Sequence, residues 1–138
     1  MNALPVQTTV RFRVRYRETD QMGVVNHAVY FTWFEEARSE MCRQHGVSYA
    51  EMEAQGMYLP MVEIKARYFA PARYDNEVGV TATVVEIRRS LLKVSYEVHS
   101  MEALITTGES LMVLTSKETG KPIRFPDEIR AKLEGNSL

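Results

Sequence analysis

The feature that most constrains the fold is a long apolar stripe with helical spacing in the first third of the chain. Mostly apolar side chains recur there every three or four residues, at Tyr30, Trp33, Phe34, Ala37, Met41 and His45. This spacing predicts an α-helix with one buried face. Gly46 directly follows the stripe and is a typical helix stop. One long helix therefore has to cover whatever the rest of the chain builds.

The other long segments alternate in the way that strands do. Thr8 to Tyr16 places apolar and aromatic side chains on one face and three arginines on the other, which is typical of a half-exposed strand. Four further strand-like segments follow at 58–69, 77–88, 91–100 and 104–115. We predict an α+β fold in which a five- to six-stranded antiparallel sheet packs on the helix, and 138 residues fit a single domain spanning 1–138.

The last of these segments also predicts association between chains. Residues 104–115 are apolar on both faces around Gly108, as in a strand that a partner helps to bury. One helix cannot cover both faces of such a sheet. The sequence therefore favours a homodimer in which the two sheets join or stack.

Composition excludes several other classes of function. The chain has 17 basic and 18 acidic residues and no block of like charge, so nucleic-acid or membrane-surface binding has no support. No apolar run is long enough for a transmembrane helix, and the N-terminal sequence lacks the features of a secretory signal. The single cysteine, Cys42, cannot form an internal disulfide, so we expect a cytoplasmic protein in which Cys42 is a packing residue.

Residues suited to chemistry concentrate just before the long helix. The polar loop 17–23 carries the carboxylate Asp20 and ends at Gly23, which can supply a backbone shape that other residues cannot. Two valines separate this loop from Asn26 and His27. Asn26 can cap a helix, and a T-x-x-E box at 32–35 suggests that the helix starts in two steps. A helix start offers unpaired N–H groups. A carboxylate beside such donors can attack an activated acyl group or deprotonate water, while the donors stabilise the oxyanion.

Other catalytic and metal-binding signatures are absent from the sequence. The one cysteine and three widely spaced histidines lack metal-ligand spacing, and there is no glycine-rich phosphate loop and no G-x-S-x-G motif. We therefore expect no metal and no redox cofactor. Glu35 and Glu36 on the helix remain as alternative acids, although capping and solvation account for them more simply.

The sequence around Asp20 resembles the signature of the hotdog-fold acyl-CoA thioesterases, and most closely the 4-hydroxybenzoyl-CoA thioesterase and YbgC-like branch. It reads Y-R-E-T-D-Q-M-G-V-V-N-H-A-V-Y from Tyr16 to Tyr30, and E-E-A-R at 35–38 extends the similarity. The organisation matches from about Thr8 to Thr115. The resemblance implies a hotdog fold, in which a long central helix is wrapped by the sheet, and hydrolysis of a small or medium acyl-CoA to an acid and CoA.

The same resemblance implies roles for single residues. Asp20 would be the catalytic carboxylate, either as nucleophile or as general base. The His27 backbone N–H at the helix start would polarise the thioester carbonyl, and its side chain would help to orient the substrate or Asp20. The implied substrate-binding residues are Gly23, Tyr30, Arg88 and Arg89.

The two arginines lie in a predicted hairpin and would hold the phosphates of CoA. In this branch sites form between subunits, so Arg88 and Arg89 could serve the substrate of a neighbouring subunit in a dimer or homotetramer. Two other functions stay open at this stage. One is an acyl-ACP thioesterase, with an acyl carrier protein as partner. The other is a non-catalytic acyl-CoA-binding module, which the intact Asp20 and His27 disfavour.

Overall fold

A sheet crossed by one long helix forms the greater part of the computed structural model, which describes residues 6–135. The helices and strands of this part of the chain are β1 (Gln7–Arg13), α1 (Val29–Gln44), α2 (Tyr49–Ala54), β2 (Met57–Tyr58), β3 (Met61–Tyr68), β4 (Glu77–Arg88), β5 (Leu91–Ser100), β6 (Ala103–Val113), β7 (Thr115–Ser116) and α3 (Asp127–Leu133). A short 3₁₀ turn, Tyr16–Glu18, lies between β1 and α1.

The sheet has five antiparallel strands in the order β1-β4-β5-β6-β3. Strands β4, β5 and β6 follow one another directly and form its centre, while β1 and β3 are its two edges. A separate pair joins β2 to β7. The expected α+β fold with a five-stranded antiparallel sheet is confirmed, and β4 and β5 have the expected bounds.

The predicted apolar stripe of α1 is buried against the sheet. Five of its members are at most 2% exposed, namely Tyr30, Trp33, Phe34, Ala37 and Met41. The Phe34 ring stacks on Tyr96 of β5, with 4.4 Å between the ring centroids. A Cβ atom added at Gly108 of β6 would lie 2.4 Å from Phe34 Cε2. This close approach brings α1 onto the centre of the sheet.

Three expectations need correction. The helix does not start a second time at Thr32, because α1 begins at Val29 and Thr32 is an exposed residue inside it. The predicted strand 58–69 is split into β2 and β3, with Leu59 and Pro60 between them, since proline cannot donate to a strand ladder. The outer face of β6 is also more polar than expected, because it carries Glu109.

The Glu109 carboxylate of β6 lies 3.5 Å from both the Lys65 and the Lys93 ammonium groups. Charged pairs therefore cover part of the sheet face that points away from α1. Within residues 6–135, no helix has the length and apolar character needed to cross a membrane.

Candidate active site

A small antiparallel loop between β1 and α1 carries the candidate carboxylate. Thr19 pairs with Val25 at its base, and the Asp20 N–H donates to the Val24 carbonyl at 2.9 Å. The Gly23 N–H donates back to the Asp20 carbonyl at 2.9 Å. Gly23 has a φ of 79°, in the left-handed region that favours glycine. The prediction that this turn needs glycine is confirmed.

The segment that precedes β4 holds the loop from the other side. Val24 forms an isolated bridge with Arg73, and the Val25 N–H donates to the Ala72 carbonyl at 2.9 Å. Val25 and Ala72 are both buried. The returning arm of the loop is therefore attached to the body of the protein.

The Asp20 side chain is exposed and has one oxygen held by the loop. Its Oδ1 accepts from the Met22 N–H at 2.9 Å and from the Val24 N–H at 3.4 Å. Among the residues that the structure describes, no donor is bonded to Oδ2. The carboxylate is thus fixed through one oxygen, while the other is open to a substrate carbon or to a proton from water.

His27 lies in a turn that leads directly into α1. Asn26 builds this turn, because its Oδ1 accepts from the Ala28 N–H at 2.9 Å and its carbonyl accepts from the Val29 N–H at 3.0 Å. The expectation that Asn26 caps the helix is wrong, because the N-cap of α1 is Ala28, which makes no side-chain cap bond, and Asn26 forms the turn just before it. The helix begins two residues after His27, whose side chain is exposed.

The start of α1 leaves hydrogen-bond donors available. Over residues 6–135, neither the His27 nor the Tyr30 backbone N–H has an acceptor. The His27 carbonyl, by contrast, accepts from the Tyr68 hydroxyl of β3 at 2.7 Å. The turn is therefore tied to an edge strand while its donors stay free, as expected at the positive end of a helix dipole.

A cavity of about 310 Å³ opens beside this turn, lined by Val25, His27, Tyr30, Tyr68, Phe69, Ala70 and Pro71. Tyr30 and Tyr68 meet edge to face at 5.1 Å between ring centroids. Burial raises the pKa of Tyr30, although the nearby Thr106 hydroxyl partly offsets the rise. Both tyrosines stay neutral at physiological pH, because burial also raises the pKa of Tyr68. Tyr30 is thus suited to form a wall rather than to act as a base.

The two candidate phosphate-binding arginines lie elsewhere in the chain. Arg88 and Arg89 are exposed at the β4–β5 hairpin, and the Arg88 side chain pairs with Glu86. They line a cavity of about 470 Å³ together with Glu86, Ser90, Leu91, Lys93, Leu111 and Val113. This cavity shares no lining residue with the one at His27. In a single chain, His27 and Tyr30 line one cavity and the arginines line the other, while Asp20 and Gly23 lie in the adjoining loop and line neither of the two.

Sequence reasoning missed two buried charges. Glu18, which we treated as part of a polar loop, is 8% exposed, and its Oε2 accepts from the Trp33 indole N–H at 2.8 Å. The one available signal was Trp33 itself, because a buried indole N–H usually has an acceptor. Arg38 is 7% exposed and donates to the Tyr49 and Tyr96 hydroxyls at 3.1 and 2.9 Å.

Arg38 ties α1 to its neighbours. Burial alone lowers the pKa of this guanidinium, but the Tyr96 and Tyr49 oxygens outweigh it, so the pKa is raised overall. Cys42 lies close by and is buried as expected, and burial raises the pKa of its thiol. Residues 6–135 contain no group of three or more His, Cys, Asp or Glu side chains arranged to hold a metal ion.

Comparisons with known proteins identify the family to which the chain belongs. The sequence profile of the thioesterase-like superfamily matches residues 14–133. The chain is 36% identical to YneP of Bacillus subtilis over 114 residues. The matched part is 81% of this chain and 82% of that protein. It is 32% identical to the acyl-CoA thioester hydrolase YbgC of Escherichia coli over 123 residues. The matched part is 88% of this chain and 92% of YbgC.

The solved structure of a DHNA-CoA thioesterase from Staphylococcus aureus matches with a TM-score of 0.86 and 35% identity, over 93% of this chain and 91% of that one. The chain belongs to the thioesterase-like superfamily. It has the hotdog fold and is a thioester hydrolase.

Proposed function

We propose that the protein is an acyl-CoA thioesterase that hydrolyses a small or medium acyl-CoA to a carboxylic acid and CoA. The observation that carries the proposal is the Asp20 carboxylate, held through one oxygen in the loop that leads to the donor-rich start of α1. The names of YbgC and of the Staphylococcus aureus enzyme support CoA as the thiol carrier. We place the reaction in the cytoplasm, because Cys42 is unpaired and buried.

Two routes are open to Asp20. As nucleophile, it attacks the thioester carbon, the C–S bond breaks, CoA leaves as the thiolate, and water then hydrolyses the mixed anhydride. As general base, it takes a proton from the water that attacks the same carbon. In both routes the carbonyl oxygen becomes an oxyanion, and the His27 N–H donates to it. Gly23 and Tyr30 shape the space around the acyl group.

We propose that the complete site forms between subunits of a homodimer, or of a tetramer of two dimers. Asp20 is exposed in one chain, and the cavity at Arg88 and Arg89 is separate from the one at His27. Strand β3 is an edge of the sheet and carries exposed apolar side chains, including Val62, which is 60% exposed. Such an edge is suited to pair with another chain.

The proposed function is tested with a panel of acyl-CoA thioesters that differ in chain length and in aromatic character. Purified protein is expected to release free thiol, which a chromogenic thiol reagent follows. Acyl-ACP with the same acyl groups is assayed in parallel, and faster turnover of acyl-ACP would favour the carrier-protein alternative. Tight binding of acyl-CoA without thiol release would show a binding module and overturn the proposal.

Replacing Arg89 with alanine is expected to raise KM for acyl-CoA about tenfold and to change kcat little, because a guanidinium that binds phosphate contributes mainly to substrate binding. Acyl-pantetheine, which lacks the nucleotide phosphates, provides the comparison, and its KM should not change. Arg43→Ala removes an exposed guanidinium of α1 and is the matched control. An equal rise in KM for both substrates would contradict phosphate binding at Arg89.

Mixing two inactive or impaired variants tests whether the site is shared. If Asp20 and Arg89 of different subunits serve one substrate, a hybrid of Asp20→Asn and Arg89→Ala chains contains one intact site. Chains that are refolded together should then show a fraction of thioesterase activity with the wild-type KM. If both residues of one chain serve the same substrate, every hybrid site is impaired and no low-KM activity returns.

A further inference from the structure

Glu18 is a buried carboxylate two residues before Asp20, and neither proposed route uses it. Its Oε2 accepts from the Trp33 indole N–H at 2.8 Å, and its Oε1 accepts from the Arg15 backbone N–H at 2.8 Å. The Arg15 guanidinium lies 3.4 Å from Oε2 and partly compensates the charge. Hydrogen bonds to an ionised acceptor are about twice as strong as neutral ones. These contacts join the segment that follows β1 to the buried face of α1.

The main chain of Glu18 makes two further connections. Its N–H donates to the Arg15 carbonyl at 3.0 Å, and its carbonyl accepts from the Asn26 N–H at 3.0 Å. Asn26 directly precedes His27. One residue therefore bonds the stem of the Asp20 loop, the turn that holds the proposed oxyanion donor, and the helix behind them.

Trp33 gives this connection a rigid base. It is fully buried, and its ring meets Phe12 of β1 and Tyr30 of α1 edge to face at 5.2 and 4.8 Å between centroids. An indole packed between these two rings cannot follow a loop that shifts. The Trp33 N–H therefore fixes the outgoing arm of the loop, while the Val25–Ala72 bond holds the returning arm.

We propose that Glu18 is a positioning residue for the thioesterase reaction. It fixes the Asp20 loop against α1, so that the free Asp20 oxygen and the His27 N–H face the same thioester carbonyl. This inference rests on the role proposed for Asp20. The exposed tip of the loop is held mainly by its own backbone bonds, so its placement relative to α1 depends on the Glu18 stem together with the returning arm that is bonded to Ala72.

The change that tests this is Glu18→Gln, which keeps the shape of the side chain. Trp33 and Arg15 donate to different oxygens of Glu18, and in glutamine one of these two positions is an NH2 donor, so one of the two bonds is lost. We expect kcat to fall between about tenfold and a hundredfold, because a small misplacement of reacting groups has effects of this size. KM should change by less than about twofold, because the acyl and phosphate contacts remain.

Trp33→Phe removes the same bond from the other side and keeps an aromatic ring. We expect a similar fall in kcat, and the double variant should lose little more than either single variant, because one interaction is removed twice. Trp33 is the one tryptophan of the chain, so its indole N–H gives a single resonance in ¹⁵N-labelled protein. In Glu18→Gln this resonance should move upfield if the bond to the carboxylate is lost.

The matched control is Glu53→Gln, which removes an exposed carboxylate of α2 and should leave kcat unchanged. All assays are run well below the melting temperature, so that lower stability alone does not reduce kcat. A wild-type kcat in Glu18→Gln, or losses that multiply in the double variant, would overturn the inference. If Glu18→Gln cannot be purified in folded form, Trp33→Phe takes its place, and a wild-type kcat in that variant would overturn the inference. Activity in Asp20→Asn would instead overturn the proposed function.

Discussion

Replacing Asp20 with asparagine is expected to lower kcat by about a thousandfold or more, because an amide can neither attack the thioester nor accept a proton from water. The substitution keeps a carbonyl oxygen at the position of Oδ1. That oxygen can still accept from the Met22 and Val24 N–H groups, so the loop should keep its shape. Thiol release measures the loss, and circular dichroism with a thermal melt measures the fold.

The control for this experiment is Asp127→Asn at the start of α3. Asp127 is exposed and its ion pair with Arg124 spans 3.7 Å, so both activity and melting temperature should stay near wild type. Normal hydrolysis by Asp20→Asn would show that another acid is used. Glu35 and Glu36, both exposed on α1, would then be the next residues to replace.

Local patterns predicted those parts of the fold that one element determines alone. The stripe from Tyr30 to Met41 has helical spacing because one face of α1 is buried. Gly23 was predicted from its place at the end of a turn, and its φ of 79° confirms the reason. The bounds of β4 and β5 were predicted because a hairpin with alternating side chains carries its own signal.

Contacts between distant segments left no such pattern. The Trp33–Glu18 bond joins residues 15 positions apart, and the Arg38–Tyr96 bond joins residues 58 apart. In the sequence, Glu18 is one more charge in a polar loop and Arg38 is one more cation on a helix. Their burial depends on how the elements pack, which the spacing of neighbouring residues does not specify.

The candidate site follows the same division. Asp20 and His27 are seven positions apart in one loop, so their sequence already placed them near each other. Arg88 and Arg89 belong to a hairpin whose relation to that loop depends on the packing of whole subunits. Local pattern could therefore nominate the arginines as anion binders without indicating whose substrate they serve.

Gly108→Ala is expected to destabilise the protein by about 3 kcal/mol or more, which is the upper range for adding one methyl group to a packed core. The new Cβ would lie 2.4 Å from Phe34 Cε2 and 2.9 Å from the Lys65 carbonyl oxygen. Phe34 is fully buried and stacked on Tyr96 at 4.4 Å, so it has little room to move. The free energy of unfolding is obtained from urea denaturation, and the midpoint should fall while the slope stays similar.

Gly79→Ala on β4 separates this clash from the general effect of replacing a strand glycine. There the nearest atom to an added Cβ is Arg11 Nη1 at 3.1 Å, the end of a flexible side chain that can shift, so stability should change little. Phe34→Leu combined with Gly108→Ala should recover at least about 1 kcal/mol relative to the sum of the single changes, because the two sites are in contact. Additive losses would show that β6, rather than the fit of α1 on the sheet, requires the glycine.

The same displacement should reach the candidate site. Phe34 lies one helical turn from Tyr30, so a displaced α1 would also shift the turn that carries the free N–H donors. Thioesterase activity should therefore fall in Gly108→Ala and not in Gly79→Ala.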